Sequence, residues 1–146
     1  MQLLFCEQLN PQDATTKDYL GVIYNALKQP EKGFEYFRQA YLLDPRDHWY
    51  HYALLLYKND DKHSRKELLA VMKQATRLNP KNASVWDYMR QAALVNGKYN
   101  QAIQAQDRID QLLGYDGMSA INRYRIYVIQ GDLKKAMCAI DDYLVL

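Results

Sequence analysis

Three copies of one short signal, Leu9-Asn10-Pro11, Leu43-Asp44-Pro45 and Leu78-Asn79-Pro80, recur at intervals of 34 and 35 residues. A fourth mark, Leu112-Leu113-Gly114, follows 34 residues later with Gly in place of Pro. A fixed period of this length holds two helices and a tight turn, and so small a hairpin cannot bury its apolar face without a neighbour stacked on it. Two positions past each mark stands Asp13, Asp47, Asn82 or Asp116. Their side-chain oxygens can accept a free N–H of a first helical turn, so these four predict helix starts. Gly97 and Gly131, each 17 residues past a mark, predict the turn inside a unit. The segments after them keep helical spacing: Tyr99, Ala102, Ile103, Gln106 and Ile109 in one, Leu133, Ala136, Ile140 and Tyr143 in the other. No segment sustains the alternation of a strand, and the chain reads as all-α.

Composition bounds the function. At 146 residues, 49% apolar and 25% charged, the chain is long enough and apolar enough for a core, which excludes a disordered tail. A net charge of +2 is too mild to make phosphate binding the expected role. The two cysteines, Cys6 and Cys138, fit no metal spacing and no redox pair, so a reducing, cytoplasmic location is expected. No apolar run reaches the length of a membrane span, and the opening Met1 to Cys6 lacks the pattern of a signal peptide.

Several positions agree in register across the units. Tyr19-Leu20-Gly21-Val22-Ile23-Tyr24, then Gly33, Phe37, Ala40 and Pro45, resembles the tetratricopeptide repeat. Trp86, Gly97, Tyr99, Ala102 and Gly114 fit the same template, as do Tyr127, Gly131 and Ala136. The resemblance implies a right-handed superhelix of antiparallel helix-turn-helix repeats, an α-solenoid. It divides one domain, 1–146, into the second helix of a partial repeat (1–11) and repeats at 12–45, 46–80, 81–114 and 115–146. Ala40, Ala75 and Ala102 then fall where helices approach closely. Three departures stand out. The second unit needs a shorter first helix and a longer turn through Asn59-Asp60-Asp61, and Arg90 and Tyr124 occupy places where a small residue is usual, so looser packing is expected there. The chain stops inside a second helix, at Asp142-Tyr143-Leu144-Val145-Leu146, with no polar covering helix. A longer array, or ends that pack on partners, is therefore expected.

Catalytic chemistry finds no support in the sequence. His48, His51 and His63 stand near Asp44, Asp47, Asp60 and Asp61, but in no known ligand pattern, and no metal is expected. The pairs Asp60-Asp61 and Asp141-Asp142 are adjacent, so on a helix their side chains diverge; one of Asp60 and Asp61 is expected to cap the following helix. There is no glycine-rich phosphate loop and no nucleophile elbow. The chain is expected to be no enzyme and to need no cofactor.

The resemblance implies binding of a partner protein's peptide or helix in a concave groove lined by the first helix of each repeat. Position by position it assigns Thr15, Asp18, Val22 and Asn25 from the first unit and Ser84, Asp87, Gln91 and Leu94 from the third. The fourth gives Met118, Ile121, Arg125 and Val128, and the second offers Tyr50, Leu54 and Tyr57. The family's clamp for a C-terminal carboxylate uses Lys and Asn at places held here by Asp18, Val22, Asp87 and Gln91. Two acids repel a carboxylate, so a basic or amphipathic partner segment is expected instead. The alternatives are an RNA-binding repeat using the basic outer helix (Lys62, Arg65, Lys66, Lys73, Arg77 and Lys81) or a structural spacer in an assembly. Nucleic acid is the weaker reading, because Asp60, Asp61 and Glu67 dilute that charge and no base-reading side chains recur at fixed sites.

Overall fold

A computed structural model describes residues 12–145. Among them run eight α-helices and no strand: α1 (Ala14–Ala26), α2 (Pro30–Leu43), α3 (Tyr50–Asn59), α4 (Lys62–Leu78), α5 (Ala83–Val95), α6 (Tyr99–Leu113), α7 (Gly117–Gln130) and α8 (Leu133–Val145). The expected partial helix over 1–11 lies outside the described residues. Packing divides the chain into two compact units, with the boundary between Ser64 and Arg65. In the first, α1 and α2 form a hairpin and α3 packs on α2. In the second, α5–α6 and α7–α8 are hairpins, and α7 lies against α6.

The expected caps explain three of the four predicted helix starts. Asp13 accepts from Thr15 N at 3.1 Å, and Asn82 accepts from Ser84 N at 3.0 Å. Asp116 accepts from Ser119 N at 3.0 Å, while the Ser119 hydroxyl accepts from Asp116 N at 3.2 Å, a reciprocal capping box. The fourth start is corrected. Asp47 does not open a helix: the Asp44 carboxylate accepts its N–H at 3.4 Å and the Asp44 carbonyl accepts from His48 N at 3.0 Å. Those bonds fold 44–48 into turns, and α3 begins only at Tyr50 with Trp49 as its N-cap. At 10 residues against 13 in α1 and α5, α3 is the short first helix that the second unit required. Asp61 caps α4, accepting from both the Ser64 N–H and hydroxyl at 2.8 Å.

Close helix approach follows from small residues. Gly21 of α1 faces α2, and a Cβ there would sit 2.6 Å from the buried Phe37 ring. Ala40, Ala75 and Ala102 are fully buried. Gly97 and Gly131 take positive φ, 67° and 87°, just past α5 and at the C-cap of α7, which ends both helices the same way.

Candidate partner-binding faces

In the first unit the face assigned to partners is carried by α1 and α3. Asp18 projects from α1 onto α3, where His51 Nδ1 donates to it at 3.0 Å and His48 Nδ1 stands 3.9 Å away. Thr15 Oγ1 lies 3.5 Å from the other nitrogen of His48, and the His51 ring stacks on Phe37 with centroids 4.8 Å apart. The Asp18 side chain is only 14% exposed. It ties two helices together rather than standing free for a ligand. Val22, Asn25, Tyr50 and Tyr57 lie along the same two helices, all four exposed, and Leu54 is half-buried. An apolar and aromatic surface is what this unit offers.

In the second unit Asp87 is engaged as well. It pairs with Arg90 at 2.6 Å and accepts from Gln91 Nε2 at 3.0 Å. Arg90 in turn donates to Gln106 Oε1 at 2.7 Å. The guanidinium thus occupies the space that a small residue leaves elsewhere, and the looser packing expected at Arg90 is replaced by a hydrogen-bonded contact. Burial pulls the Arg90 guanidinium below the usual arginine range, with Asp87 opposing and the nearby Arg125 charge adding to the fall.

A polar network that the helical pattern does not announce lies behind this pair. Gln106, 1% exposed, accepts from Asn122 Nδ2 at 3.2 Å and donates to Asp110 at 2.9 Å. Ser119 donates to Asp110 at 2.6 Å, and Arg123 pairs with Asp110 and, at 2.8 Å, with Asp107. The α5, α6 and α7 helices are thereby pinned around a cleft of about 370 Å³, to which Asp87, Arg90, Leu113, Met118 and Arg125 also contribute. Arg125 is exposed and has no ion pair among the described residues. Leu94 is half-buried, and Val128 lines a different cleft, on α7 and α8. The only sequence signal for the network was Arg90 at a small-residue place. Nothing in the helical periodicity marks Gln106 as a buried polar hub, since its position is that of an ordinary core residue.

Among the described residues no group of three His, Cys, Asp or Glu side chains is placed to hold a metal ion, and no helix is long and apolar enough to cross a membrane.

Residues 20–47 match the family model described as tetratricopeptide repeat. A search of curated proteins gives no sequence match. Solved structures match over nearly the whole chain. MamA from Desulfovibrio magneticus RS-1 superposes with a TM-score of 0.75 at 16% identity, covering 99% of this chain and 81% of that one. TTC0263, a tetratricopeptide protein of Thermus thermophilus, gives 0.62 at 18%, covering 97% and 78%. Yeast Tom70 gives 0.63 at 19%, covering 97% of this chain and 30% of that one. At these identities the likeness is one of fold.

Proposed function

We propose that this chain, an all-α tetratricopeptide-type repeat, is a non-catalytic scaffold that holds an amphipathic segment of a partner protein on its first-helix faces. The observation that carries the reading is the division of labour along α1 and α3. Their acid, Asp18, is turned inward onto His51, while Val22, Tyr50 and Tyr57 are left exposed. An apolar body with a polar tip suits a protein partner, which supplies apolar anchors and hydrogen bonds together. The second unit repeats the theme with Asp87 paired to Arg90 and with Met118 and Arg125 exposed beside the cleft. Because both acids already have partners, apolar contact rather than attraction of basic groups supplies the affinity.

The test is affinity capture with the chain and with Val22→Glu and Tyr57→Ala. Both residues are exposed, so these changes should leave thermal stability within about 0.5 kcal/mol while depleting captured proteins. Unchanged capture by both variants overturns the first-helix reading.

A further inference from the structure

Polarity divides α4 more sharply than any other helix. Between Arg65 and Leu78 one side, with Leu68, Leu69, Val71, Met72 and Ala75, is buried. The exposed residues of the same stretch are Lys66, Ala70, Lys73 and Arg77. At 3.6 residues per turn these four fall within about 60° of one another, so the exposed face is a line of cations about 16 Å long, interrupted only by a methyl group. Lys81, also exposed, follows just past the helix end. None of these four cations has an ion pair among the described residues, whereas Glu67, the one acid of the stretch, is half-buried and already engaged. Residues 65–81 hold five of the 19 Lys and Arg and one of the 17 Asp and Glu, a local charge of +4 on a chain whose remainder carries −2. The Asn96 amide donates to the Arg65 carbonyl at 2.8 Å, which fixes the start of this face to the end of α5.

We infer that this face of α4 binds the anionic surface of a lipid bilayer, lying on the headgroups without entering them. The chemistry of the face selects that partner. A protein interface is held by apolar or aromatic anchors near its centre, and exposed ion pairs alone contribute little. Here the centre is Ala70, and everything else exposed is a cation. Single-stranded nucleic acid is held on aromatic platforms as well as through its phosphates, and no aromatic residue occurs between 65 and 78. The major groove of a duplex separates its strands by about 12 Å, so one line of cations follows one strand only. A bilayer needs neither anchor nor matched groove. Its negative surface potential acts on each nearby basic side chain, a gain of about fivefold in affinity per residue. Helices that enter the membrane interface do so with their apolar face, and that of α4 is already spent in the core. The binding is therefore peripheral, weakened by salt, and leaves the helix packed in the fold. It does not depend on the first-helix faces, whose residues lie on other helices.

The probes are vesicles of phosphatidylcholine alone and of phosphatidylcholine with about one-third phosphatidylserine, and the bound fraction of the full chain is read by co-sedimentation. Binding to the anionic vesicles at about 50 mM salt is expected, lost at about 500 mM, with none to the neutral vesicles. Lys66→Gln and Lys73→Gln should each weaken it about fivefold and together more than about tenfold, while Lys73→Arg keeps it. Both side chains are exposed, so unchanged thermal melts verify that the variants are folded. Tyr57→Ala, a change on the first-helix face, should bind the vesicles as the parent does, so either reading can fail without the other. The proposal is overturned if anionic vesicles do not retain the chain at low salt, or if the double Gln variant binds them as well as the parent. It is also overturned if a DNA duplex or polyglutamate, at equal concentration of negative charge, binds more tightly than the vesicles. A nucleic acid or an acidic protein would then be the occupant.

Discussion

Gly21 shows how strictly one residue can be constrained in a hairpin of this size. Its α carbon approaches α2 so closely that a methyl group would overlap the Phe37 ring, which is itself buried and has no room to retreat. Gly21→Ala should therefore cost about 1–3 kcal/mol by overpacking, and Phe37→Leu in the same chain should return part of that loss. Urea denaturation of the two single variants and the pair measures the coupling; strict additivity would show that the contact is not what fixes the glycine. The capping carboxylates make a prediction in pH. The hydrogen bond from the Thr16 hydroxyl holds Asp13 below the ordinary aspartate value, and the Ser64 N–H does the same for Asp61. A carboxyl depressed on folding contributes stability that is present above its unfolded pKa of about 3.9 and lost as pH falls through the lower folded value. Thermal midpoints should accordingly fall below about pH 4. Asn at both positions keeps an acceptor but removes the titration, so its acid limb should be shallower. An acid limb identical to that of the parent would contradict the assignment.

Between elements, the polar ties are more specific than the apolar ones. Gln106 joins α5, α6 and α7 by accepting from Arg90 and Asn122 and donating to Asp110. Gln106→Leu keeps the volume but leaves donors without acceptors in a buried site, so a loss of about 1–3 kcal/mol is expected in chemical denaturation. A neutral result would mean that water replaces the side chain. Asp18→Lys should cost a similar amount, because it sets an ammonium against His48 and His51 where a carboxylate now joins α1 to α3. These ties also explain what was legible in the sequence. The all-α class, most helix starts and the buried alanines followed from period, caps and glycines, which are local signals written within a few residues of where they act. Asp47 failed as a cap because Asp44 accepts the N–H groups of Asp47 and His48 and so folds this stretch into turns, delaying the helix to Tyr50, an outcome that position alone does not decide. The partner faces were legible only as positions. That Asp18 and Asp87 are spent on neighbours depends on His51, one helix pair away, and on Arg90, one turn away, and no repeat template states which of two equivalent polar residues turns inward.

At the scale of the whole molecule, the protein and nucleic-acid readings separate through salt. The chain carries a net charge of only +2, yet Lys62, Lys66, Lys73 and Arg77 are all exposed on α4. If that helix held a single-stranded nucleic acid through about four phosphates, counterion release would give a slope near about −3 in log affinity against log salt. Raising salt tenfold would then weaken binding about a thousandfold. The first-helix faces predict something different. Their acids are already paired within the fold, and Val22, Tyr50 and Tyr57 offer contact area whose desolvation salt hardly alters. A captured protein segment should thus lose no more than about threefold in affinity over the same range, and the loss that remains should track Arg125, the exposed cation beside the α5–α7 cleft. The measurement is a fluorescence titration of the captured segment at about 50 and about 500 mM salt, repeated with Tyr57→Ala and Arg125→Glu. Tyr57→Ala should weaken binding equally at both concentrations, as the loss of an anchor does, mostly through faster dissociation. Arg125→Glu should matter more at low salt, where exposed charges are least screened. A steep slope that both variants leave intact would assign the binding to α4 and its cations instead.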